Sequence, residues 1–103
     1  MAGKNWTVED LVQLARAYQP ACVIGAAAEL DLFAKMGTLT FTAEEAADRL
    51  AGDLRGISTL LDALAALELL QKDSDRYTVP ETASVLLNGS HPGNQLGLIR
   101  HQL

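Results

Sequence analysis

The stretch at residues 42–79 constrains the fold more than any other part of the chain. Thr42 and Glu45 have the spacing of a capping box, which predicts a helix that begins at Ala43. The Ala-Gly pair at residues 51–52 closes that helix, and Asp53 caps a second one. Leucines and an isoleucine recur in the second helix at steps of three and four and define a broad buried face. Two helices joined by a tight turn are therefore expected here.

A hairpin follows the second helix. Leu70, Tyr77 and Val79 are apolar, and the polar run at residues 72–76 separates the first of them from the other two. Residues 38–41 are expected to be extended and to add a third strand beside this hairpin. Helix, turn, helix and hairpin is the order of a winged helix-turn-helix, in which the hairpin is the wing.

Further helices are expected on both sides of this unit. Thr7 and Asp10 predict a cap for a helix over residues 8–18, and Pro20 begins a second helix that runs to Gly37. A short helix at residues 81–87 and an apolar stripe at Leu96, Ile99 and Leu103 follow the wing. The predicted fold is mainly α, a winged helix-turn-helix with a small antiparallel hairpin wing and additional N- and C-terminal helices.

The helix predicted after Pro20 is apolar around most of its circumference. Between residues 21 and 28 its one polar side chain is the weakly polar thiol of Cys22, which we expect to be buried and inert. The small residues Ala21, Gly25 and Ala28 would let another helix approach closely. Either this is a central core helix, or a second copy of the chain or a further domain covers part of its surface; we favour the second interpretation.

Catalytic and metal-binding patterns are absent from the sequence. The glycines are isolated, so no phosphate-binding loop is predicted, and one cysteine with His91 and His101 lacks the spacing of a zinc site. We therefore predict no catalytic, cofactor-binding or metal-binding residues in this chain. No apolar run approaches ~20 residues and the amino terminus lacks a signal-peptide pattern, so a cytoplasmic protein without a membrane partner is expected.

Charge argues against nucleic acid as a partner. The formal net charge is −5, and the basic residues are spread along the chain. The exposed face of the second helix in the helix-turn-helix is predicted to consist of Arg55, Ser58, Thr59 and Asp62. We expect the acids of the wing turn to cancel Lys72 and Arg76. Base readout needs polar side chains together with several cations that reach phosphates. This face offers one cation, Arg55.

Four blocks give the chain a family resemblance. They lie at residues 19–33 (QPACVIGAAAELDLF), 41–70, 75–87 (DRYTVPETASVLL) and 89–101 (GSHPGNQLGLIRH). Their order and spacing resemble the N-terminal dimerisation domain of S-adenosylmethionine-dependent O-methyltransferases, the group that includes plant phenolic, acetylserotonin and bacterial polyketide enzymes. Ser58 and Thr59 depart from it, since many relatives have a basic residue there.

The resemblance implies a homodimer formed through the N-terminal helices. It also implies that this domain forms one wall of a pocket for a small aromatic or polyketide acceptor, whereas a Rossmann-like domain beyond Leu103 binds S-adenosylmethionine and carries the catalytic base. The chain is then an N-terminal fragment of a longer enzyme and is not catalytically competent alone. The candidate interface or pocket-wall residues are Leu11, Leu14, Tyr18, Ala21, Val23, Ile24, Gly25, Ala28, Leu96 and Ile99. A DNA-binding regulator and a stand-alone interaction module remain as alternatives.

Overall fold

The computed structural model describes residues 3 and 5–102, except for the side chains at positions 17, 18, 100 and 102. Within this range the chain is mainly helical, with one small sheet. The helices are α1 (Val8–Glu29), α2 (Leu32–Met36), α3 (Ala43–Leu50), α4 (Leu54–Ala66), α5 (Glu81–Leu87) and α6 (Leu96–Gln102). The strands are β1 (Thr40–Thr42), β2 (Gln71–Asp73) and β3 (Arg76–Thr78). The mainly α winged-helix prediction is confirmed.

Helix α1 passes through Pro20 without a break, so the prediction of two separate helices at this point was wrong. Proline removes one hydrogen bond from a helix interior. Ending the helix would leave several backbone groups without intrahelical partners on each side of the break, which is a larger loss. Pro20 also lies beside α4, where Val23 and Ala63 border the same shallow groove. The cap predicted at Thr7 is present, since its side chain accepts a hydrogen bond from the Asp10 amide.

A break does occur ten residues later, at Leu30 and Asp31. Asp31 has a φ of 55°, and α2 starts directly after it. Had α1 continued, Leu32 and Met36 would lie on the same side of it as Leu11, which faces away from the body of the domain. The break turns Leu32, Phe33 and Met36 into the core, where they are almost completely buried. The gain from burying three large apolar side chains explains why the predicted helix over residues 20–37 is interrupted.

The helix-turn-helix has the predicted caps. Thr42 and Glu45 form both hydrogen bonds of the capping box at α3, and the Asp53 side chain accepts a hydrogen bond from the Gly56 amide at α4. The helix α3 ends at the predicted Ala51-Gly52 pair, where Ala51 adopts the left-handed conformation with a φ of 53°. Gly52 serves a different purpose, since a Cβ there would lie 2.7 Å from Cγ1 of Ile57.

The three strands form one antiparallel sheet in the order β1-β3-β2. Phe41 of β1 pairs with Tyr77 of β3, and their rings stack with centroids 6.0 Å apart. Asp73 pairs with Arg76, so the wing turn is the two-residue link at Ser74 and Asp75. The predicted third strand is therefore present. Phe41 and Tyr77 are buried and join the sheet to the core formed by α2, α3 and α4.

Candidate functional site

The N-terminal half of α1 exposes apolar side chains to solvent. Val8 is 80% exposed, Leu11 52% and Leu14 58%. These three side chains are therefore not covered by the chain itself. The described chain is elongated, with principal extents of 54 × 31 × 22 Å and a radius of gyration of 15.8 Å, whereas a compact domain of this length has about 13 Å. A row of exposed apolar side chains on a helix indicates a surface for another protein chain.

The C-terminal half of α1 packs on the domain with one side and faces outward with the other. Ala27 and Ala28 are buried in the core, and Val23 packs against its edge. Cys22 and Ala26 are exposed on the opposite side. The prediction that the Cys22 thiol is buried was wrong, because the side of α1 that bears Cys22 turns away from α2 and α4.

The ten candidate residues thus fall into different environments. Leu11 and Leu14 are exposed, whereas Ala28 and Leu96 are each 5% exposed and belong to the chain's own core. Ala21, Val23, Ile24, Gly25 and Ile99 are half-buried. The side chain of Tyr18 lies outside the described residues. Leu11 and Leu14 are therefore accessible to a partner, whereas Ala28 and Leu96 are not.

Ile24 of α1 and Ile99 of α6 come together in an apolar groove. Its volume is about 490 Å³, and helix α5 contributes four of its lining residues. The lining is Ile24, Glu68, Leu69, Pro80, Thr82, Ala83, Leu86, Leu87, Gln95 and Ile99. The amide of Gln95 donates to the Leu86 carbonyl at 2.7 Å, which holds the start of α6 against α5. Among the lining residues that the structure describes, Glu68 is the one ionisable residue, and the groove is suited to an apolar molecule.

Sequence reasoning missed the part of this groove that α5 contributes. The sequence predicts a short helix at residues 81–87, but none of the ten candidate residues lies in it. The spacing of Ala83, Leu86 and Leu87 carried a usable signal, because residues three and four apart lie on one side of a helix. The sequence did not show that the apolar side of α5 lies next to Ile24, which is almost 60 residues away in the chain.

A polar cluster joins α4 to the wing. Asp62 accepts hydrogen bonds through Oδ1 from Lys72 Nζ at 2.8 Å and from the Tyr77 hydroxyl at 2.5 Å. These hydrogen bonds lower the pKa of Asp62, and the bond to Asp62 raises the pKa of Lys72. Burial of its ring and the bond to Asp62 raise the pKa of Tyr77. The cluster attaches the wing to α4, and the positive charge of Lys72 is paired with Asp62 in this contact.

Other cations near the helix-turn-helix are also engaged. Arg76 lies 3.9 Å from Oε1 of Glu45, and Arg49 donates to the Lys35 carbonyl at 3.3 Å. Asp62 of α4 and Glu45 of α3 thus pair with the two wing cations. They act in addition to Asp73 and Asp75, the wing-turn acids that the sequence predicts to cancel these charges. A face of this kind presents little free positive charge to a phosphate backbone.

Three further observations concern the described part of the chain. It contains no group of three or more His, Cys, Asp and Glu side chains that could hold a metal ion. None of its helices combines the length and hydropathy that a membrane crossing requires. His91 accepts a hydrogen bond at Nδ1 from the Gly93 amide at 2.9 Å, and Asn94 bonds to the His91 carbonyl. His91 therefore stabilises the turn between α5 and α6.

Comparison with known proteins gives one family. The sequence model of the family described as the O-methyltransferase dimerisation domain matches residues 12–89. The N,N-dimethyltransferase OxyT of Streptomyces rimosus is 42% identical over 82 residues, which are 79% of this chain and 24% of OxyT. The chain thus spans about a quarter of the length of this relative.

Solved structures give the same result for the fold. A structure described as PigF with SAH superposes with a TM-score of 0.83 at 28% identity, covering 94% of this chain and 29% of PigF. An O-methyltransferase family protein from Burkholderia thailandensis superposes with a TM-score of 0.80 at 25% identity, covering 96% of this chain and 30% of that protein. In each case the match covers nearly all of this chain and under a third of the larger protein.

Proposed function

The chain belongs to the family of O-methyltransferase dimerisation domains, and from this premise we propose that it joins two copies of an S-adenosylmethionine-dependent methyltransferase. In this proposal a following domain of the same polypeptide binds the methyl donor and carries the base. The present chain supplies the dimer contact and one wall of the acceptor pocket. OxyT and PigF support this division, since the chain matches under a third of each.

The observation that carries the dimer is the exposed apolar half of α1. If the chain were monomeric, the apolar side chains of Val8, Leu11 and Leu14 would stay exposed to water. Covering a large apolar side chain contributes about 1.5–3 kcal/mol. In a two-fold symmetric dimer, each copy covers the apolar half of α1 of the other copy. One contact therefore buries this surface in both chains.

Sedimentation velocity tests the dimer. We expect the wild-type chain to sediment as a dimer at micromolar concentration and the double variant Leu11→Glu/Leu14→Glu to sediment as a monomer, because an unpaired carboxylate is costly to bury. Leu39→Glu is the matched control, since Leu39 is 43% exposed and lies outside α1. This control should remain a dimer. A monomeric wild type, or a double variant that still dimerises, would contradict the proposal.

The groove of Ile24 and Ile99 supports the pocket wall. Its volume of about 490 Å³ lies within the roughly 300–1,000 Å³ of small-molecule sites, and its lining is mostly apolar. Such a surface excludes water from one side of an aromatic acceptor and orients it toward the reacting methyl group. Catalytic groups are not required from this chain, because proton removal and donor binding belong to the other domain.

An apolar fluorophore tests the groove. We expect 8-anilinonaphthalene-1-sulfonate to bind the wild-type chain, and Leu86→Glu at the rim of the groove to weaken this binding several-fold. The control is again Leu39→Glu, which has similar exposure and lies outside the groove. Equal binding by the two variants would show that the fluorophore does not use this groove.

The acceptor atom is proposed to be oxygen, in agreement with the family description. The similarity to OxyT favours nitrogen as the second candidate, because OxyT is described as an N,N-dimethyltransferase. Transfer of labelled methyl groups by the polypeptide that contains this chain, followed by product analysis, distinguishes an ether from a dimethylamine. Cell fractionation would test the cytoplasmic location that the sequence predicts.

A further inference from the structure

The outward side of α1 carries an apolar stripe along most of its length. Exposed residues recur at steps of three or four, and Gly25 is half-buried at the edge of the stripe. The members are Val8, Leu11, Ala15, Cys22, Gly25 and Ala26. Alternating steps of three and four place residues along one seam, the pattern by which two helices pack together.

Side-chain size changes systematically along this stripe. Val8 and Leu11 at the N-terminal end are large, and Leu14 flanks them. Cys22, Gly25 and Ala26 at the C-terminal end are small. The N-terminal end of the stripe therefore projects from the helix, whereas the C-terminal end is shallow and lets another helix approach closely.

We propose that α1 packs antiparallel against α1 of a second copy of this chain, around a two-fold axis between positions 16 and 17. In this register Leu11 lies against the partner's Cys22, and Val8 lies against the partner's Gly25. Each large side chain meets a small one, and the symmetry repeats both contacts. The arrangement rests on the dimer proposed above and adds which surfaces meet and in which direction.

Size complementarity favours antiparallel over parallel packing. A parallel pair would put Leu11 against the partner's Leu11 and Gly25 against the partner's Gly25. The large pair would then hold the helices apart and leave a gap between the small residues, and such gaps forfeit dispersion contacts. Antiparallel packing keeps the spacing even along the seam. It also places each helix N-terminus beside the partner's C-terminus, which is favourable for the helix dipoles.

The two arrangements predict different distances between thiols. In the antiparallel register the two Cys22 residues lie 11 positions apart along the helix pair, about 16 Å at 1.5 Å per residue. A disulfide needs Cα atoms within about 7 Å, so they cannot be joined. A thiol placed at position 11 would instead lie level with the partner's Cys22. In a parallel pair the two Cys22 residues would face each other directly.

Oxidative cross-linking of the whole chain tests this register. Diamide removes one hydrogen from each of two thiols and is reduced to its hydrazine as the disulfide forms. We expect Leu11→Cys to give mostly covalent dimer on a non-reducing gel, whereas the wild type stays uncross-linked. Leu11→Cys/Cys22→Ser should lose the cross-link, and Leu39→Cys, with similar exposure outside α1, should not gain it. Far-UV circular dichroism checks that each variant is folded.

Each other outcome has a defined meaning. Cross-linking of the wild type through Cys22 itself would overturn the antiparallel register in favour of a parallel one. A folded Leu11→Cys variant that sediments as a dimer but does not cross-link would overturn the register and leave the dimer intact. A monomer in sedimentation would overturn the proposed dimer, and the helix pairing with it.

Discussion

Substitutions at Ala51 and Gly52, in the turn between α3 and α4, are expected to have different effects on the free energy of unfolding. Replacing Gly52 by alanine should destabilise the domain, although alanine is the better helix former and the backbone at Gly52 has no positive φ. The reason is space. The new Cβ would lie 2.7 Å from Cγ1 and 2.8 Å from Cδ1 of Ile57. Carbon atoms in normal contact are about 3.5–4.0 Å apart, so the methyl group would overlap Ile57 by roughly 1 Å.

The expected cost of Gly52→Ala is about 1–3 kcal/mol, the usual range for overpacking a core. Ile57 has little freedom to avoid the collision, because it is 4% exposed and branched at Cβ. Relief requires a poorer rotamer or a wider gap between α3 and α4. A loss of this size is a substantial part of the roughly 5–15 kcal/mol that stabilises a typical domain.

Urea unfolding followed by circular dichroism measures this cost. All variants should be compared at one protein concentration, since dimerisation couples stability to concentration. Ala51→Gly is the matched control at the neighbouring position. Ala51 has a φ of 53°, so glycine there relieves about 1–2 kcal/mol of backbone strain but gains freedom in the unfolded chain. We expect this variant to be neutral or up to about 1 kcal/mol more stable.

A double-mutant cycle with Ile57→Ala isolates the collision. Ile57→Ala removes both colliding atoms, so Gly52→Ala should cost little in that background even though Ile57→Ala is itself destabilising. If Gly52→Ala costs the same in both backgrounds, the cost comes from the backbone and the reasoning is refuted. A neutral Gly52→Ala together with a destabilising Ala51→Gly would also refute it.

Further predictions concern the caps, the core, the wing and DNA. Thr42→Ala should lower the unfolding free energy by about 1 kcal/mol, measured in urea, because the variant lacks the hydroxyl that accepts a hydrogen bond from the Glu45 amide and donates one to Glu45 Oε1; Thr42→Ser keeps a hydroxyl and should retain most of this stability. Leu61→Ala should cost about 2–5 kcal/mol, since Leu61 is completely buried, and a loss under 1 kcal/mol would contradict that burial. The lowered pKa of Asp62 means that its stabilising contribution is present above the ordinary aspartate pKa of about 4 and is lost as the pH falls through the folded-state value. The stability difference between wild type and Asp62→Asn, taken from urea midpoints, should therefore narrow below about pH 4. Fluorescence titration at low salt should detect no sequence-selective binding of duplex DNA; selective, salt-dependent binding would contradict the charge argument.

The candidate site was predictable only in part. The sequence identified the helix after Pro20 as the one with too much apolar surface, whereas the accessible candidates Leu11 and Leu14 lie before that proline, in the N-terminal half of α1. Its choice of Ala28 as an outward small residue did not hold, because Ala28 packs into the chain's own core and Cys22 and Ala26 face outward. An apolar helix without a polar side offers no internal signal of which side the domain covers.

The sequence by itself determined the elements whose causes are local. The caps at Thr7, Thr42 and Asp53 depend on residues three positions away, and the apolar period of α4 depends on residues within two turns. Only the tertiary structure decided that α1 continues through Pro20, that it ends at Glu29, and that Ile24 and Ile99 share a groove. These outcomes depend on contacts between residues far apart in the chain, where the gain from burying Leu32, Phe33 and Met36 outweighs the local preference for one unbroken helix.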